Sequence, residues 1–367
     1  VLMSVSKRHF HHAVDRNRAK RQMREAYRNY KTIITEAVDT LNAAAPADRH
    51  HSLNIAFIWL SDEPQDSAAK GWVVVTGASG GIGAVLTEQL AKEGYPVVMA
   101  CRNLEKARPV QQAVMARSGN RRVVLYPLDL ASLDSVRRFT GRLRSEKMQV
   151  AVLLNNAGVM NGGFRLTEDG LEEDLAVNYV GAAALAFGLL PLMDEGSRIV
   201  NTVSCTYRIG RVGKELLQPD PHRFRRFSSY GSSKLALLLF TLELASRMAR
   251  RGIRVNAADP GVVDTGMLTM GRWFDPLADK LFRPLVKTPQ QGAATALLLA
   301  SSPLTAQVTG ELWRGEQGRR IPRAVYGHPL RGWLWNETVR LLAAHGIVSG
   351  DPIPVDGKAY GCGKAEK

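Results

Sequence analysis

The stretch Val73-Val74-Val75-Thr76-Gly77-Ala78-Ser79-Gly80-Gly81-Ile82-Gly83 decides how this chain is read. A short β-branched apolar run feeds a glycine-rich turn, and an amphipathic pattern follows over residues 84–93. The order is strand, loop, helix. Such a turn suits an anion, because glycines let the backbone approach a pyrophosphate and the helix N-terminus offers free N–H groups and a positive dipole end. An ordinary βα turn has the same outline, so the motif gains its weight from what surrounds it.

Downstream, apolar runs alternate with helical patterns at intervals suited to βαβ units. Strands are expected at residues 72–76, 96–101, 123–127, 150–155, 198–203 and 254–259, with a shorter one near 311–313. The fold class is therefore α/β, a doubly wound parallel sheet (Rossmann), preceded by a small, incomplete α+β segment. Ligands of such sheets sit beyond the carboxyl ends of the strands. The first strand end supplies Thr76, Gly77, Ser79, Gly81, Ile82 and Gly83.

The second strand ends in Cys101-Arg102-Asn103. A NAD-type site wants an acid there for the ribose 2′-hydroxyl. None lies between Pro96 and Asn103, and Arg102 can instead pair with a 2′-phosphate, which favours NADP(H) over NAD(H). The third ends in Leu128-Asp129-Leu130, where Asp129 either receives an adenine amino group or starts the next helix in competition with Ser132. The fourth ends in Asn155-Asn156-Ala157-Gly158, whose amides can brace neighbouring strand ends while Ala157 and Gly158 leave a cofactor room.

Tyr230 and Lys234 are four apart on a helical run over 228–249, so they share a face. A phenol with a pKa near 10 is a poor acid–base catalyst at neutral pH. A nearby ammonium, helped by an oxidised nicotinamide, is expected to lower that pKa. Ser204, closing the fifth strand, offers a hydroxyl to a substrate carbonyl or alcohol. Asn178 lies in a helical run, where asparagine is a poor fit, which suggests a polar role such as holding water beside Lys234.

Taken in order, Thr76-Gly77-x-x-x-Gly81-Ile82-Gly83, Asn155-Asn156-Ala157-Gly158, Asn178, Ser204 and Tyr230-x-x-x-Lys234 resemble the short-chain dehydrogenase/reductase family over residues 71 to about 315. The resemblance implies Tyr230 as acid/base, Lys234 on the nicotinamide ribose, Ser204 positioning substrate and Asn178 supporting a proton relay. It also implies that Pro260-Gly261-Val262-Val263-Asp264-Thr265 covers the cofactor, with contacts from Pro260, Gly261, Val263 and Thr265. The spacing from Ser204 to Tyr230 is longer than in the family's simplest members, and the insert at 207–227 looks like the retinol-dehydrogenase and protochlorophyllide-reductase branch. Ser204 stands in Val203-Ser204-Cys205 rather than in a serine pair. Residues 266–287 include Met267, Trp273, Phe274 and Phe282 where the family has a lid; they either cover a lipophilic substrate or pack on the core. Residues 328–345 suggest a C-terminal helix for docking or homo-oligomer contact, and 350–367 a loose tail.

The first seventy residues follow a different pattern. Arg16, Lys20, Arg24 and Arg28 recur every fourth position, with Arg18 and Arg21 beside them. Like charges at that spacing cost a helix roughly 0.2–0.5 kcal/mol each, which a phosphate backbone would offset; the alternative is a solvated basic face. Ser4-Val5-Ser6-Lys7-Arg8 followed by residues 13–28, centred on Arg16-Asn17-Arg18-Ala19-Lys20-Arg21, resembles the bacterial ribonuclease P protein subunit. That resemblance implies binding of ribonuclease P RNA and precursor tRNA through Arg16, Asn17, Arg18, Lys20, Arg21 and Arg24, with residues 54–60 as a following strand. The family's N-terminal helix and first two strands have no counterpart here, so the expectation is a truncated subunit fused to a neighbouring coding region. The expected domains are 1–62, a linker at 63–69, an NADP-binding domain at 70–326, and a helix with tail at 327–367.

Composition sets wider bounds. The 367 residues carry a formal net charge of +15, which points to an anionic partner. Three scattered cysteines form no disulfide framework or metal set and suit a reducing cytoplasm. No unbroken apolar run reaches membrane-spanning length, so no transmembrane segment is expected.

Overall fold

The computed structural model describes residues 2–4, 56–58, 71–263 and 287–348. The chain divides into two compact units, Val1–Ala69 and Lys70–Lys367. In the first unit, strand β1 (Leu2–Ser4) pairs in parallel with β2 (Ala56–Ile58), Leu2 opposite Ala56. The strand expected at 54–60 is thus present at its centre. The basic stretch with Arg16, Asn17, Arg18, Lys20, Arg21 and Arg24, the linker at 63–69, Thr265, the apolar stretch through residue 286 and the tail from 350 all lie outside the described residues.

The second unit is built on β3 (Trp72–Thr76), β4 (Val97–Cys101), β5 (Val123–Pro127), β6 (Val150–Asn155), β7 (Arg198–Thr202), β8 (Arg254–Ala258), β9 (Leu312–Arg314) and β10 (Gln317–Arg319). They form one sheet in the order β10-β9-β8-β7-β6-β3-β4-β5, parallel except for the β9–β10 hairpin. Val73, Val74 and Val75 are wholly buried because both faces of the sheet are covered. Each contributes about 1.5–3 kcal/mol by leaving water. Val74 points into one core with Leu153, Ile199 and Val255, whereas Val73 and Val75 point into the other with Val152 and Leu154.

Helices α1 (Gly81–Lys92), α2 (Leu104–Ser118) and α3 (Leu133–Ser145) follow the first three strands. After β6 comes a composite helix: α4 (Glu173–Leu175), a π-helical turn at Ala176–Val180, then α5 (Gly181–Leu189). Helix α6 (Arg226–Met248) follows β7, and α7 (Pro289–Ser301), α8 (Arg323–Tyr326) and α9 (Arg331–Ala344) complete the unit. α1 begins three residues earlier than the amphipathic pattern suggests, because the glycines themselves enter the helix. Ser132, not Asp129, caps α3, its hydroxyl accepting the Ser135 N–H. The Asp129 carboxylate instead accepts the Ala131 N–H at 2.9 Å.

Two expectations are amended by packing. The C-terminal helix α9 buries Leu334, Trp335, Val339 and Leu342 in this unit's own core. Trp335 stacks on Phe240 at 5.8 Å, tilts against Phe187 at 5.1 Å and lies under the Arg247 guanidinium at 4.1 Å. Its apolar face docks within the subunit, and the helix belongs to the same unit as the sheet. Glu173–Leu192 is long and apolar enough to cross a membrane, with mean hydropathy 1.8, yet 94% of that window is buried here. It is the sheet's central covering helix.

Candidate active site

The strand order reverses between β3 and β6, so the loops leaving these two strands diverge and open a crevice. Thr76 ties the two together: its hydroxyl accepts N–H bonds from Asn156 and Ala157, both at 3.0 Å, and its carbonyl accepts from Asn156 Nδ2 at 2.9 Å. Asn155 braces the other side, donating to Asn201 Oδ1 at 2.8 Å, and Asn201 donates in turn to Thr241 at 2.9 Å. The bracing expected of these amides is present.

The glycine turn needs its glycines. Gly77 has φ +66°, and a Cβ on Gly83 would stand 2.2 Å from the Gly77 carbonyl oxygen. A Cβ on Gly80 would meet nothing within 4 Å, so the turn is open on the cleft side. Beneath it Cys101 is buried, its thiol pushed up to about 11 by desolvation.

The resulting cleft has a volume of about 720 Å³. Thr76, Gly77, Ser79, Gly81, Ile82 and Gly83 line one end, with Arg102, Asn103, Asp129 and Leu130 next to them. Asn156, Ala157 and Gly158 form the floor, and Pro260, Gly261 and Val263 the near wall. Ser204, Tyr230 and Lys234 stand at the other end. The structure therefore gathers every expected site residue of this unit that it describes except Asn178. Asn103 also caps α2, accepting the Lys106 N–H at 2.8 Å. Arg102 is 63% exposed and only 3.9 Å from Glu173, a loose surface pair of little energetic weight.

Asn178 lies one layer back. Its side chain accepts from Val159 N and donates to Val159 O, both at 2.8 Å, and donates to Ser233 at 3.0 Å. Both amide protons are committed to protein groups, so this side chain clamps the loop. Position 158 is tight: a Cβ there would lie 3.1 Å from Asn178 Oδ1 and 3.2 Å from Lys234 Nζ.

Lys234 is fully enclosed, donates to the Thr202 carbonyl at 2.9 Å, and is lowered to about 8 by burial, against which Asp174 pulls upward. Its nitrogen is 5.7 Å from the Tyr230 ring centre. Tyr230 is pushed up to about 12, chiefly by burial, with a hydrogen bond from Ser204 pulling it down. The lowered phenol expected from sequence is thus not a property of the protein groups alone. Lys106, Cys205 and Phe227 also line the cleft and were not anticipated. Lys106 is legible in retrospect, being one helical turn beyond Arg102; Phe227 shows no signal in a polar insert.

The short chain dehydrogenase family model matches residues 71–272. The chain belongs to that family. Mouse (Mus musculus) polyprenol dehydrogenase is 36% identical over 282 residues, covering 74% of this chain and 84% of that protein. Human (Homo sapiens) retinol dehydrogenase 13 is 32% identical, covering 77% and 88%. Among solved structures, a short chain dehydrogenase from Burkholderia cenocepacia in complex with NADP is 28% identical at TM-score 0.54, covering 67% of this chain and 96% of that one. An uncharacterised protein from Mycobacterium paratuberculosis reaches TM-score 0.61 at 29% identity, covering 76% and 97%. Separately, the Ribonuclease P family model matches residues 1–54. The short-chain dehydrogenase unit is an oxidoreductase fold whose open glycine turn and helix N-terminus fit the pyrophosphate of a nicotinamide cofactor.

Proposed function

We propose that this chain is an NADP(H)-dependent oxidoreductase that interconverts a lipophilic alcohol and its carbonyl, with Tyr230 as the acid/base. The observation that carries this is the convergence of Ser204, Tyr230 and Lys234 at one end of a cleft whose other end is the glycine turn. A bound nicotinamide supplies hydride donation or acceptance at the substrate carbon. The phenol of Tyr230, held protonated by burial, can give its proton to the oxygen of a carbonyl being reduced. The Ser204 hydroxyl, on the same end of the cleft, orients the same oxygen. One Lys234 proton is spent on Thr202, and an ammonium has two more to offer a ribose or the phenol. Arg102 and Lys106, both on the cleft, give a 2′-phosphate two positive charges.

A lipophilic substrate is supported by two observations. Relatives are named for polyprenol and retinol, and the half-exposed Phe227 lines the cleft, as does Met160. Spectrophotometric assay with NADPH and a panel of long-chain and isoprenoid aldehydes tests the reading. Turnover in the wild type that Tyr230→Phe abolishes supports it. Undiminished turnover in Tyr230→Phe overturns the mechanism.

A second reading applies to the first unit and rests on the Ribonuclease P match at residues 1–54. There we propose RNA binding through Arg16, Asn17, Arg18, Lys20, Arg21 and Arg24. Affinity for precursor tRNA should fall steeply with salt, and the slope should flatten when Arg16, Arg18 and Arg21 become alanine. Unchanged binding in that variant would reduce the stripe to a solvated face.

A further inference from the structure

Asp174 is wholly enclosed at the junction of α4 and the π-helical turn. Its Oδ1 accepts the Asn161 N–H at 2.9 Å, while Oδ2 has no hydrogen-bond partner among the described residues. A buried carboxylate left half-satisfied is costly unless paired, and among the described residues no cation lies within ion-pair distance of this one. The two nearby guanidiniums, Arg102 and Arg165, lie against Glu173 instead, at 3.9 Å and 3.8 Å. Glu172 spends both oxygens on the N–H groups of Asp174 and Leu175. Packing at this position would be served better by a neutral residue.

The field of Asp174 falls on the catalytic end of the cleft. α4 packs against α6, which carries Tyr230 and Lys234, and Asp174 acts electrostatically on both. Its backbone contact reaches the same loop that Asn178 clamps at Val159, so carboxylate and amide hold the β6 loop at two points. Resting on the reading of Tyr230 and Lys234 given above, we propose that Asp174 is an electrostatic positioning residue of this site: packed against the helix that carries them, its buried charge biases the Tyr230 phenol and the Lys234 amine toward their protonated forms, and its Oδ1 fixes the loop at Asn161.

The charged and titratable groups around it divide by element. Glu172 and Glu173 on its own helix push its proton affinity up, as burial does more strongly, to about 7. Facing it from α6 are Tyr230 and Lys234. Cys205 and Asp259 add to the negative field on Tyr230 from the turn after β7 and the end of β8. A negative Asp174 raises both partners, keeping the phenol protonated and opposing the burial that strips Lys234. Near neutral pH a proton on Asp174 therefore loosens protons on the other two.

The test is Asp174→Asn in the full chain, because asparagine keeps an acceptor for Asn161 and removes the charge while replacing the unpartnered oxygen by an amide of the same size. The alkaline limb of the pH–kcat/KM profile for carbonyl reduction should move down by about one pH unit. Without cofactor or substrate, the variant should melt above the wild type at about pH 8, with the gap closing toward about pH 5, since a raised carboxyl loses its stabilising contribution as pH rises through its folded value. An unshifted profile, or a melting difference independent of pH, overturns the proposal. If the variant fails to fold, carbon-13 NMR of wild-type Asp174 decides: a midpoint at the ordinary aspartate value refutes it. Tyr230→Phe distinguishes the two failures, since a fully active Tyr230→Phe removes the site reading, whereas an inactive one with an unshifted Asp174→Asn profile removes only this inference.

Discussion

Gly83 and Arg102 make contrasting demands of single atoms. Gly83→Ala would drive a methyl to 2.2 Å from the Gly77 carbonyl, a backbone atom that cannot swing aside. The strain should cost about 1–3 kcal/mol, read as at least a tenfold weaker NADPH titration by fluorescence. Arg102→Ala should leave stability unchanged because the side chain is mostly exposed. It should weaken NADPH roughly tenfold without affecting NADH, as expected for loss of a charge-assisted phosphate contact. The Lys234 ammonium predicts an upper pH limit: its proton is lost above about 8, so kcat for reduction should decline through that value. The identities at this scale were legible, since Thr76, Asn156, Tyr230 and Lys234 fall in an ordered set of motifs that resembles the short-chain dehydrogenase/reductase family. The direction of the Tyr230 shift was not, because it depends on burial by residues distant in sequence. The same holds for Asn178, whose two partner residues sit 19 and 55 positions away.

Elements with strong local chemistry were the legible ones. The runs at 73–75, 97–99 and 152–154 are apolar on both faces, and parallel strands covered by helices on both sides require that pattern. The π-helical turn at Ala176–Val180 left no trace, because one extra residue in a helix fully buried all round disturbs no amphipathic rhythm. Nor did the destination of α9, whose Trp335 and Leu334 mark an apolar face without saying what meets it. Trp335→Ala should cost about 3–5 kcal/mol, measured by urea unfolding, with the oligomeric state unchanged. Gly141 sits inside α3, where an added Cβ meets nothing within 4 Å. Gly141→Ala should therefore stabilise by roughly 0.5–1 kcal/mol, seen as a rise in Tm.

At the scale of the molecule, the units Val1–Ala69 and Lys70–Lys367 each hold their own contacts. A chain starting at Lys70 keeps every cofactor-site residue named above and should retain NADPH affinity within about twofold, which isothermal titration would check. The excess positive charge at the start of the chain suits a polyanion, whereas the site charges of the second unit, Arg102 and Lys106, suit a single phosphate. The segment Glu173–Leu192 adds a consequence in the order of synthesis. Its aromatic cover comes from Phe240 and Trp335, so it leaves the ribosome well before either partner exists. During that interval a stretch with membrane-like hydropathy stands uncovered on the nascent chain, where exposed apolar surface promotes aggregation. Yield of this protein should accordingly depend on chaperone supply and translation speed, and a chain ending before Arg331 should be released with Phe187 covered by Phe240 but stripped of Trp335, and collect in inclusion bodies.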